Sequence, residues 1–210
     1  MKKNAEDKTT RDNLIREAKK EFMLRGYMKA SLRNICKNAG VTTGALYFFF
    51  DNKEALFSAI VDTPVKILQA EIERHFEKEK KGSCDRNPAG EMLDQEAAER
   101  IIHFLFTYYD EFILILEKSQ GTEYEHIVDR LVAMVDQQNR RIAGDYSRAM
   151  GIEAASDFMI HWISHNQIQS FMHIFTHAGS EEEALKHMKE MTAYLRGGWF
   201  SVINGKRGKK

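Results

Sequence analysis

Residues 39–56 read "AGVTTGALYFFFDNKEAL". Small residues come first, then a tyrosine and three phenylalanines in a row, then the start of another helix. Thr42 or Thr43 is placed to cap a short helix ending near Phe49. Asn52 caps the next, with Glu54 in its first turn favouring the helix dipole. Leu46 and Phe50 lie four residues apart, on one face of a helix, and are predicted to plug a core. Tyr47 is offset by one position and points elsewhere. The rings therefore divide between holding the helix in place and facing outward.

The flanking sequence explains what the short helix is held against. In "RDNLIREAKKEFMLR" (11–25), Leu14, Ala18 and Phe22 recur with Ile15 at the 3.6-residue period, and Gly26 follows as a stop. Ser31 then stands as N-cap before "LRNICKNA", whose Leu32, Ile35 and Ala39 share one side. Gly40 permits the tight turn. Two short helices joined at "AGVT" are the sequence form of a helix-turn-helix, in which the second helix enters the DNA major groove while the first crosses the backbone.

Downstream, the Asn52-capped helix is predicted to run to about residue 80. Residues 81–91, "KGSCDRNPAGE", read as a linker. Further helices are expected at 92–108, 109–118, 123–149, 153–177 and 181–203, with breaks at Gly121, Gly151 and "HAGSEEE". Ser180 and Glu183 have capping-box spacing. No strand alternation occurs. The expected fold is all-α with about nine helices: an N-terminal three-helix head spanning 8–68, its helix-turn-helix at about 31–50, and a helical body spanning 69–210.

A hydrophobic share of 43% and a charged share of 30% are ordinary for a globular protein and set aside a disordered chain. No apolar run approaches the ~18–20 residues that cross a bilayer, and the start "MKKNAEDKTTRDN" lacks the apolar core of a secretory signal. Two cysteines are too few for a disulfide scaffold, so a cytoplasmic location is expected. The net charge is zero, but residues 1–58 carry +5 and the remainder −5. A basic head on an acidic body fits a polyanion partner.

Residues 11–57 resemble the N-terminal domain of the TetR family of bacterial repressors. The resemblance rests on Ala18, Phe22, Gly26 and Tyr27, then on Ser31, Ile35, Ala39, Gly40, Val41, Gly44, Leu46, Tyr47, Phe50, Lys53 and Leu56. Cys36 replaces the usual alanine and Thr42 the usual serine. The resemblance implies a DNA-binding set of Arg33, Thr42, Thr43, Gly44, Ala45, Tyr47, Phe48 and Lys53. Tyr47 and Lys53 would meet phosphates, Phe48 would face the groove, and Arg33 would reach a base or a phosphate. At Phe49 the family commonly carries histidine or tyrosine; phenylalanine removes that polar contact, and packing is an equal reading.

The family also implies a homodimer built on the last two long helices. Phe158, Phe171, Phe175, Met191, Leu195 and Trp199 are the expected interface, and filling their own core is the alternative. Segment 101–116, "IIHFLFTYYDEFILIL", is apolar nearly all round, with Phe104, Tyr108 and Phe112 in an i, i+4, i+8 row. With Trp162 and His165 these could line a pocket for a small-molecule effector; they could equally be core with satisfied tyrosines. His161/His165 and His173/His177 have i, i+4 metal-ligand spacing, but no cysteine or carboxylate completes a set nearby, so no metal or other cofactor is expected. No nucleophile elbow, phosphate loop or paired carboxylates suggests an enzyme. The expected function is a ligand-responsive repressor of a palindromic operator; the alternative is a ligand-independent architectural or cell-division DNA-binding protein.

Overall fold

The computed structural model describes residues 2–81 and 95–204. Most of the predicted linker, Cys84 and Pro88 included, and the basic tail after Asn204 lie outside the described residues. Described residues form nine helices: α1 Lys2–Lys29, α2 Leu32–Ala39, α3 Thr43–Phe49, α4 Lys53–Lys81, α5 Gln95–Thr107, α6 Tyr109–Glu117, α7 Ile127–Met150, α8 Asp157–His177 and α9 Glu181–Asn204. They divide into two compact units. One is Met1–Ile67 with Tyr108–Ile127; the other is Leu68–Thr107 with Val128–Lys210.

The first unit is built on the period read from the sequence. Leu14, Ala18 and Phe22 on α1, Ile35 on α2, Leu46 on α3 and Leu56 and Phe57 on α4 are all fully buried. The rings of Phe22 and Phe57 meet edge to face at 5.2 Å. Gly26 adopts φ 72°, ψ 161°, which breaks the helical path and lets the chain turn toward α2. Ser31 caps α2 by accepting from the Asn34 backbone N–H. The same end is tied to α1 through the buried Glu21, whose Oε1 accepts from the Ser31 backbone N–H at 3.1 Å. Gly40 closes α2 at φ 70°, its N–H reaching the carbonyls of Cys36 and Lys37.

Residues 108–127, in the body by the sequence boundaries above, pack within this first unit. Lys19 on α1 pairs with Glu111 at 2.8 Å and Asp110 at 3.1 Å on α6. The Tyr27 N–H donates to the Lys118 carbonyl at 2.9 Å. Tyr124 packs against Phe57 and donates its hydroxyl to Asp62 at 2.6 Å.

In the second unit, Ala98 and Ile102 of α5 meet Ile174 of α8 and Ala184 and Met188 of α9. A neighbouring cluster places Trp199 of α9 among Ile142 and Ala143 of α7 and Ile160 and Ile163 of α8.

The apolar segment 101–116 is not one helix. Thr107 donates its hydroxyl back to the His103 carbonyl, ending α5, and Tyr108 (φ −113°, ψ 40°) stands between α5 and α6. The aromatic row Phe104–Tyr108–Phe112 therefore has no common face. Phe104 belongs to the second unit, Tyr108 and a fully packed Phe112 to the first. The break falls at the boundary between the helices expected from the sequence at 92–108 and 109–118, and the i, i+4, i+8 row crosses it.

Candidate functional site

The short helix α3 has two faces. Thr42 caps it, its hydroxyl accepting from the Ala45 N–H at 3.2 Å. Leu46 and Phe50 are sunk in the core, Phe50 with the Arg11 guanidinium over its ring at 5.4 Å. Tyr47 is 54% exposed and Phe48 75% exposed, side by side on the outward face. Phe49 is half-buried and braces Phe48 edge to face at 4.9 Å. Thr42, Thr43 and Gly44 are exposed and Ala45 half-buried at the N-terminal end of α3; Arg33 is exposed on α2. Small residues let a groove approach the backbone of this helix end, and its N–H groups favour phosphate. Thus seven of the eight predicted contact residues lie on the outward side of α2, α3 and the turn joining them.

Lys53 is the eighth, and it is engaged. Its ammonium donates to the Met28 carbonyl at 3.2 Å and the Ala30 carbonyl at 3.4 Å, and lies 4.6 Å from the centre of the Tyr27 ring. Burial there pushes its pKa below the usual lysine value. The side chain anchors the end of α1 to the start of α4, with at most one donor left for a phosphate. Cys36 is buried and its thiol pushed up by desolvation, which makes it inert packing.

The second unit holds a cavity of about 100 Å³. Leu68, Ile72, His75 and Phe76 of α4 line it, with Ala98, Ile101 and Leu105 of α5 and Leu131 and Val135 of α7. Phe171 and Met172 of α8 complete an apolar wall, and Gln138, Asn139 and Gln167 give one polar side. None of Phe104, Tyr108, Phe112, Trp162 and His165 lines it. Trp162 is 49% exposed, and His165 packs edge to face on His161 at 4.6 Å, at the surface of α8. The amides were legible only as polar residues interrupting apolar helices, in "VDQQN" and "HNQIQ"; the sequence pattern does not say which polar residue faces in.

The expected interface residues also divide. Phe175 is fully buried and meets Phe106 at 5.7 Å; Trp199 and Leu195 are buried in their own unit. These three fill the core of the subunit, because α8 and α9 are apolar on the face toward α5 and α7 as well. Phe158 is 73% exposed. Met191 is half-buried beside Tyr194, which is 70% exposed. Phe171 lines the cavity. Among the described residues, no three His, Cys, Asp or Glu side chains are placed to hold a metal ion. No helix among them is long and apolar enough to cross a membrane.

Comparison with known proteins agrees with this geometry. Residues 14–60 match the family model described as "Bacterial regulatory proteins, tetR family". The transcriptional regulator TtgR of Pseudomonas putida is 40% identical over 58 residues, 28% of each chain. The A-factor receptor protein of Streptomyces griseus is 37% identical over 73 residues, 35% of this chain and 26% of that one. The chain thus spans only about a quarter of the length of the curated relatives it matches. Among solved structures, a putative fatty acid metabolism regulator of Clostridium perfringens superposes with TM-score 0.60 at 16% identity, covering 89% of this chain and 97% of that one. CprB of Streptomyces coelicolor, solved with its operator, gives TM-score 0.56 at 17% identity, covering 96% and 99%. Fold and site define a helix-turn-helix protein with an all-helical second unit. Residues 14–60 carry the TetR-family N-terminal domain, and the chain as a whole shares its fold with solved members of that family.

Proposed function

We propose that this protein is a transcriptional regulator, a repressor that binds a palindromic operator as a homodimer and lets go when a small effector enters the second unit. The observation that carries the proposal is the exposed face of Arg33, Thr43, Gly44, Tyr47 and Phe48. Its residues lie outside the buried core, Phe48 resting edge to face on Phe49, and they belong to the helices that Ile35, Leu46 and Phe50 hold in place. Arg33 is suited to guanine or phosphate, Tyr47 to phosphate and Phe48 to thymine methyls and sugar edges.

One recognition helix reads few base pairs, so a second copy is needed. The exposed Phe158, Trp162 and Tyr194 on α8 and α9 are the apolar surface offered to it. Phe158 and Met191 remain from the predicted interface, and Tyr194 joins them. A regulator of this kind works in the cytoplasm, beside the DNA.

Chain connectivity supports regulation through the cavity. Three of the helices that line it, α4, α5 and α7, lead directly into first-unit segments at Ile67, Tyr108 and Ile127. An effector that prefers one arrangement of these helices biases the states available to the head. Among relatives of the same fold, FadR of Bacillus subtilis was solved with stearoyl-CoA, and the A-factor receptor is named for its ligand.

The test is selection of bound sequences from random duplex DNA by the purified chain. A two-fold symmetric consensus is expected, bound as a dimer. Recovery of duplexes with no shared sequence would overturn the repressor reading in favour of an architectural one.

A further inference from the structure

The cavity of the second unit holds two buried amides that are each half used. Asn139 is 3% exposed and Gln167 is 5% exposed. The Asn139 Nδ2 donates to the Gln167 Oε1 at 2.7 Å and to the Ser164 hydroxyl at 3.0 Å. The Ser164 hydroxyl in turn donates to the Ile160 carbonyl. Among the described residues, the Gln167 Nε2 donates to no group and the Asn139 Oδ1 accepts from none. Both residues line the cavity.

Neither atom is sealed from water, so each is open to the cavity, and a ligand that filled it without pairing with them would leave them unsatisfied. The remaining lining is apolar apart from His75 and Gln138, and no Asp, Glu, Lys or Arg lines the cavity among the described residues. Among the described residues the His75 imidazole is the one titratable group of the lining, so a ligand carrying a full charge would find no fixed countercharge there. A ligand with no polar group would leave both amides unsatisfied.

We infer that the effector is an uncharged molecule with an apolar body and one amide-like group, a neighbouring acceptor and donor, that pairs with Gln167 Nε2 and Asn139 Oδ1. The inference rests on the reading of this cavity as the effector site. A cavity of about 100 Å³ takes a moiety near the size of benzene, which an engineered apolar cavity of ~150 Å³ binds. Anything longer enters by shifting Met172, an unbranched side chain on the wall.

The test uses three probes of one shape: pentanamide, pentanoate at neutral pH, and 2-methylhex-1-ene, which replaces the amide by an apolar group of the same outline. Binding to the full-length protein is read from the methyl NMR signal of Met172, assigned with Met172→Leu. Release of a selected operator duplex is read separately by fluorescence anisotropy. Pentanamide is expected to bind at least tenfold tighter than pentanoate, and Gln167→Leu to weaken pentanamide by about tenfold while leaving or improving 2-methylhex-1-ene. Asn139→Asp, which keeps the shape and places a charge at the acceptor, is expected to weaken all three. Equal or tighter binding of pentanoate, no binding of pentanamide, or indifference of pentanamide to Gln167→Leu in a folded variant would overturn the ligand class. Pentanamide binding that depends on Gln167 but leaves the operator bound would keep the ligand class and reject the regulatory reading of the cavity.

Discussion

Phe48 and Phe50 differ by two positions and by everything that matters to their roles. Replacing each by alanine separates the two duties of α3. Phe50 is 5% exposed under Arg11, and truncating a packed phenylalanine costs ~3–5 kcal/mol in transfer and cavity terms. That is a large share of the ~5–15 kcal/mol that holds a domain folded. Phe48 is 75% exposed, and its one ring contact is with Phe49. Losing an exposed edge-to-face pair costs less than ~1 kcal/mol, and the better helix propensity of alanine offsets part of it. Urea unfolding should therefore show a clear fall in midpoint for Phe50→Ala and a near-unchanged midpoint for Phe48→Ala. Operator affinity, measured by anisotropy on a selected duplex, should behave oppositely for Phe48→Ala: a loss of ~1–3 kcal/mol, about fivefold to over a hundredfold in Kd, greatest at A·T pairs whose thymine methyl it meets. A Phe48→Ala protein as unstable as Phe50→Ala, or one that binds the duplex as tightly as the parent, would refute the assignment of faces.

Further outcomes follow from single contacts. Lys53→Met should lower both stability and DNA affinity, because its ammonium holds the Met28 and Ala30 carbonyls; a full unit lost from the salt-dependence slope would show that it also neutralises a phosphate. Tyr124→Phe removes a hydrogen bond to a carboxylate and should cost ~1–2 kcal/mol in urea unfolding, with the loss confined to the first unit by hydrogen exchange. The Lys66 ammonium and then the Tyr124 hydroxyl hold the Asp62 carboxyl below its ordinary value of 3.8. Its contribution is therefore present above that value and lost as pH falls through the lowered pKa, so Asp62→Asn should flatten stability against pH below about 4. Tyr194→Glu should give folded monomers in sedimentation, whereas Trp199→Glu, a charge placed in the core, should unfold the second unit.

The head was legible because its signals are local. Ser31 and Thr42 cap the helices they precede, Gly40 takes a positive φ, and the four-residue spacing of Leu46 and Phe50 sets the buried face. The exposed Tyr47 and Phe48 follow from the same register. What failed to read through was tertiary. The helix boundary at 108/109 is legible in the sequence, yet the aromatic row was drawn across it, because local pattern does not say that the chain changes unit there. On α8 and α9, apolar residues occur on more than one face, and sequence could not separate Trp199 and Phe175, which serve the subunit's own core, from Phe158 and Tyr194, which do not. Lys53 fits a phosphate contact by position, and only its distances to two carbonyls show the anchoring role.

Hydroxyl-radical footprinting of the selected duplex tests the central claim most directly, that the outward face of α2 and α3 reads DNA. The parent protein should protect two symmetric half-sites about one helical turn or a multiple apart. Arg33→Ala and Phe48→Ala should lose that protection at matched protein concentration while remaining folded. Undiminished, symmetric protection by the doubly substituted, folded protein would contradict the claim and move the DNA-binding surface elsewhere.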